Sequence, residues 1–76
     1  MNELGDYLRR QREIRGWSQS QAADHFGVSK SYLSRTELGA IKLPSVEVRR
    51  RIADVLGMRH IDLLVLAGEL SPDEIA

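Results

Sequence analysis

Apolar residues recur along the chain at helical spacing, and cap and stop residues break the pattern at short intervals. Leu4, Tyr7, Leu8 and Ile14 share one stripe of a first helix that Asn2 can cap and Gly16 ends. Ser18, with Gln21 three residues later, has the form of a capping box and opens a second helix that turns Ala22, Ala23 and Phe26 inward. Gly27 stops that helix, because a tight turn there calls for a residue tolerant of positive φ. Ser29 caps a third helix closing at Leu38-Gly39. After Ala40-Ile41-Lys42-Leu43 and Pro44, Ser45 caps a fourth helix that runs to Leu56-Gly57. A fifth, apolar helix covers roughly 60–67 and Gly68 ends it. The pattern predicts an all-α, compact five-helix bundle filling residues 1–70 as one domain. Ser71-Pro72-Asp73-Glu74 then reads as another helix start with little chain behind it. Residues 71–76 are expected to be either a frayed tail or the start of a further segment in a longer native protein.

The segment from Ser18 to Gly39 joins two short helices through a glycine-containing turn, which predicts a helix-turn-helix formed by helices 2 and 3. Such a pair crosses steeply, so the second helix stands out from the body and fits a groove about 12 Å wide. At about 100° per residue, Lys30, Ser34, Ser31 and Arg35 fall within one arc of about 140° on the third helix. Tyr32, Thr36, Leu33 and Glu37 occupy the opposite arc. One face is thus cationic and hydrogen-bonding, with short serines that permit close approach to base edges. The other face is suited to packing.

Charge changes this picture less than its total implies. Eleven basic residues balance eleven acidic ones, but all eleven basic residues lie within 9–59, where only five acids occur. It is the distribution of charge, not the net value, that a polyanion meets. The chain has no cysteine, which excludes disulfides and thiolate metal sites and fits a reducing compartment. No stretch approaches the ~20 apolar residues of a membrane span, and no signal-peptide segment opens the chain, so a soluble, cytoplasmic protein is expected.

The ordered set Leu8-Arg9-Arg10-Gln11-Arg12-Glu13, Gly16-Trp17-Ser18-Gln19, Ala22-Ala23, Phe26-Gly27-Val28-Ser29, Tyr32-Leu33-Ser34-Arg35, Glu37-Leu38-Gly39 and Pro44-Ser45 resembles the lambda-repressor-like (Cro/CI, or XRE) helix-turn-helix family. The resemblance extends over about residues 3–70. It implies sequence-specific binding of double-stranded DNA by a bacterial or phage transcription regulator, most often a repressor. By the same resemblance, Lys30, Ser31, Ser34 and Arg35 are expected to read bases. Ser18, Gln19, Tyr32 and Lys42 are expected to touch phosphates, and Arg12 and Glu37 to form a structural ion pair. Gln11, Thr36 and Arg49 depart from the family pattern, standing where an apolar core residue is usual. Ser45 stands where some relatives place a basic residue near the minor groove.

Arg35 can reach a guanine bidentately, whereas the ammonium of Lys30 serves a base or a phosphate equally well. Three consecutive arginines, Arg49-Arg50-Arg51, cannot face one partner and are expected to form a solvated face with one aliphatic stem over the core. Trp17 is expected in the core. In 61–67, six of seven residues are apolar, more than one buried face requires. Ile61, Leu64 and Val65 are therefore expected to meet a twin subunit, giving a homodimer on a palindromic operator, or else a missing domain. His25 and His60 lack neighbours at metal-ligand spacing, and no catalytic grouping or cofactor motif is present, so neither enzyme activity, a cofactor nor a small-molecule ligand is expected. Two rivals stand beside this reading: a protein–protein adaptor of the same fold, and the DNA-targeting domain of a larger sensor or antitoxin.

Overall fold

The computed structural model describes residues 3–70, and among them every regular element is a helix. In chain order these are α1 (Leu4–Ile14), α2 (Gln19–Phe26), α3 (Lys30–Glu37), α4 (Val46–Leu56) and α5 (His60–Leu66). The predicted five-helix, all-α architecture is therefore the observed one. The apparent helix start at Ser71-Pro72-Asp73-Glu74 lies outside the described residues, as does Asn2.

Local chemistry accounts for the boundaries around α2 and α3. Ser18 accepts from the Gln21 amide at 3.1 Å, and the Gln21 side chain accepts from the Ser18 amide at 2.8 Å, which completes the capping box. Ser29 accepts from the Tyr32 amide at 3.0 Å and starts α3. Between them Gly27 takes φ +71, and the Val28 amide reaches back to the Ala23 carbonyl at 3.0 Å. This left-handed closure turns the chain within three residues and packs Val28 against the core.

The N-caps of α1 and α4 depart from expectation, whereas Gly57 closes α4 as expected. The residue before α1 is Glu3, not Asn2, and its side chain makes no cap bond. The Glu3 amide instead donates to Leu66 at the end of α5, at 2.9 Å. Ser45 stands at the cap of α4 without a side-chain bond, while Glu47 supplies negative charge in the first turn.

All five helices surround one core of Leu4, Leu8, Ala22, Ala23, Phe26, Leu33, Ile52, Leu63 and Ala67. Burying a residue such as Phe26 or Leu33 contributes ~1.5–3 kcal/mol, so this cluster carries most of the driving force. Ile14 does not belong to it and is 75% exposed. Around α1 it lies about 120° from Leu8, at the margin of the stripe that faces α3 and α5. Trp17 is half-buried: its ring stacks on His25 with centroids 4.0 Å apart, and the Arg15 guanidinium lies 5.6 Å from its centre.

The arginine triplet is also more engaged than a solvated face. Arg49 is half-buried and donates to the Pro44 carbonyl at 2.8 Å and to His60 Nε2 at 3.1 Å. Arg51 donates to the His25 carbonyl at 3.1 Å, neutralising a free acceptor at the end of α2. Arg50 is exposed.

Candidate nucleic-acid interface

The outward side of α3 is set by what its inward side must bury. Leu33 and Thr36 are each 2% exposed and Glu37 is 9% exposed. Thr36 fits its apolar slot because its hydroxyl donates to the Tyr32 carbonyl at 2.9 Å, one turn back. With that face committed, Lys30, Ser31 and Arg35 are exposed, Ser34 is half-buried and Tyr32 is half-buried at the flank. The four side chains expected to read bases thus share the solvent side of one short helix. Arg35 Nε lies 3.4 Å from the Ser31 carbonyl, so its side chain runs back along α3 toward the helix start.

The start of α2 meets the C-terminal end of α3 through Gln19 and Glu37. The hydroxyl oxygen of Ser18 is already engaged by the capping box, which leaves its proton for an outside acceptor. Gln19 is half-buried and its side-chain nitrogen donates to Glu37 Oε1 at 3.2 Å.

Glu37 is the centre of a polar cluster joining three helices. Arg12 Nε donates to Glu37 Oε2 at 2.8 Å and Arg12 Nη2 donates to Oε1 at 3.0 Å, a bidentate fork. Arg12 Nη1 also reaches the Trp17 carbonyl at 3.3 Å, in the loop before α2. The hydrogen bond to Glu37 is the main cause that raises the Arg12 pKa above its ordinary value; burial opposes it. Only 4% of the Glu37 side chain is exposed, so the charge of Arg12 is what makes that burial tolerable.

Sequence pattern alone missed the residue on the other side of this joint. Gly5 is buried in α1, and a Cβ there would stand 2.5 Å from the Glu37 carbonyl oxygen and 2.6 Å from that of Thr36. The bare backbone lets α1 press against the final turn of α3. One signal was available: glycine inside an amphipathic helix costs ~1 kcal/mol relative to alanine and so points to a close approach.

The loop after α3 is fastened at both ends. The amides of Ala40 and Ile41 both donate to the Arg35 carbonyl, at 2.9 and 3.2 Å. Arg49 holds Pro44 at the far end. Lys42 lies between these anchors and is exposed. The role of Arg49 was not visible in sequence, because its partners come from the loop and from α5.

On α5, Leu63 is buried, as is Ala67 just beyond its end, and Leu66 packs on the core, whereas Ile61, Leu64 and Val65 are only half-buried. Among the described residues, no group of side chains is arranged to hold a metal ion, and no helix is long and apolar enough to cross a membrane.

Comparison with known proteins agrees with this geometry. A family profile described as "Helix-turn-helix domain" matches residues 3–65. A Bacillus subtilis (strain 168) protein named "HTH-type transcriptional regulator SlrR" is 37% identical over 60 residues, covering 79% of this chain and 40% of that protein. The chain therefore spans about two fifths of the length of that curated relative. No solved structure matches the chain significantly. With the profile covering most of its residues, including α2, the Gly27 turn and α3, the chain belongs to the helix-turn-helix domain family.

Proposed function

We propose that this domain binds double-stranded DNA sequence-specifically and acts as a transcriptional regulator of bacterial or phage origin, a repressor that occupies its operator. The observation that carries the proposal is the solvent side of α3, where Lys30, Ser31, Ser34 and Arg35 stand together while Leu33, Thr36 and Glu37 anchor the opposite side. Helix α3 enters the major groove, where Arg35 is the residue suited to a guanine edge and the serines allow close approach. Ser18 and Gln19 at the start of α2, Tyr32 at the flank and Lys42 in the fastened loop take phosphates. The relative named as a transcriptional regulator supports the same activity.

Ile61, Leu64 and Val65 leave α5 with apolar surface beyond its own core contribution. A second copy covers it about a two-fold axis, placing two α3 helices in successive major grooves ~34 Å apart on a palindromic site. Selection of bound duplexes from random DNA at fixed salt tests both parts. An enriched inverted repeat with that half-site spacing is the expected result. Recovery of random sequence overturns specific binding and favours a protein-binding adaptor of the same fold, a role with which the zero net charge is compatible.

A further inference from the structure

The bond between Gln19 and Glu37 links the first residue of α2 to the last residue of α3, the two helices of the proposed DNA-binding unit. A carboxylate only accepts hydrogen bonds, so the Gln19 atom facing Glu37 Oε1 at 3.2 Å is the amide nitrogen. That contact settles which way round the amide sits. One N–H is spent on Glu37, a second remains on the same nitrogen, and a phosphate oxygen is likewise an acceptor only. The Arg12 fork keeps Glu37 from swinging away, because both carboxylate oxygens are already held at 2.8 and 3.0 Å.

We infer that Glu37 is a positioning residue for DNA binding: it orients the Gln19 amide so that one nitrogen bridges α3 and a backbone phosphate, registering phosphate docking and base reading as one rigid event. The inference rests on the DNA-binding reading above. It also reverses a simple electrostatic expectation. Glu37 is a negative charge on the element that meets a polyanion, so neutralising a charge without positional role would tighten binding to any DNA.

The test uses the full chain, a duplex recovered by selection from random DNA, and a scrambled duplex of equal length, with all variants first shown to be folded by circular dichroism and urea titration. Glu37→Gln is expected to weaken selected-duplex binding about tenfold while leaving scrambled-duplex binding equal or slightly tighter. Gln19→Met keeps the side-chain length and the Arg12–Glu37 pair but removes the amide, and is expected to lower the ratio of selected to scrambled affinity about fivefold or more. The double variant should be no weaker than the worse single one. Tighter selected-duplex binding by Glu37→Gln overturns the inference. So does an equal loss on both duplexes in Gln19→Met, or multiplication of the two effects in the double variant. If Glu37→Gln does not fold, Glu37→Asp takes its place: it keeps the charge but draws the carboxylate back from Gln19. The same loss confined to the selected duplex is then expected, and unchanged or tighter selected-duplex binding overturns the inference. A wild-type chain that fails to prefer the selected duplex removes the DNA-binding reading itself, and the inference falls with it.

Discussion

Arg12 in α1 and Glu37 at the end of α3 stand 25 residues apart in the chain and meet through two parallel hydrogen bonds of 2.8 and 3.0 Å. The pair fastens the C-terminal end of the helix that presents Lys30, Ser31, Ser34 and Arg35. Apolar packing through Leu33 holds the middle of α3, but it resists sliding and rotation poorly because hydrophobic contact is non-directional. A bidentate fork has direction.

Arg12→Met is therefore expected to destabilise the fold by about 3 kcal/mol, because it strands a carboxylate whose side chain is 4% exposed. Urea denaturation measures this as a lower midpoint at unchanged slope. A change under ~0.5 kcal/mol would show that the pair behaves like a surface ion pair and does not fasten α3.

Gly5→Ala tests the same joint from the α1 side. Alanine gains up to ~1 kcal/mol in helix propensity, but the clash with two backbone carbonyls outweighs it, giving a net loss of about 1–3 kcal/mol. Neither carbonyl can rotate aside as a flexible side chain would. Thermal unfolding is the check, and a raised midpoint would mean that α1 and α3 do not approach this closely.

The caps around α2 and α3 and the outward face of α3 were legible in the sequence because both are local. A capping box closes within four residues, and a helical face follows from period alone. What stayed hidden depends on partners distant in sequence. The need for glycine at position 5 comes from carbonyls at the end of α3, and the use of Arg49 comes from Pro44 and His60. Ile14 was misplaced for a related reason: a stripe drawn from α1 alone does not show where its neighbouring helices end. Arg12–Glu37 was anticipated only through family resemblance, since no spacing rule brings those two positions together.

Stability should respond to acid at the start of α5. Arg59 donates to both carboxylate oxygens of Asp62, at 2.9 and 2.8 Å, and this hydrogen bonding is the main cause that lowers the Asp62 pKa. A depressed folded pKa gives a contribution that is complete above the unfolded value of about 3.9 and disappears as pH falls through the lower folded value. The side-chain carboxyl of Asp62, followed by NMR, is expected to titrate below that of an unstructured aspartate. Asp62→Asn should remove the acid-side loss assigned to this pair while leaving the dependence unchanged above about pH 5, roughly one unit over the unfolded pKa. A titration at or above the ordinary aspartate value would contradict the pairing.

The central claim is that the solvent side of α3 reads DNA, and the most direct measurement is a mobility-shift titration of wild type, Arg35→Ala and Lys30→Ala on selected and scrambled duplexes at one stated salt concentration. Arg35→Ala is expected to lose ~1–3 kcal/mol on the selected duplex and to relax discrimination at one base pair per half-site, with little change on the scrambled one. Lys30→Ala should weaken selected-duplex binding as well, through a base or a neighbouring phosphate. If both variants bind the selected duplex as tightly as wild type, α3 is not the reader.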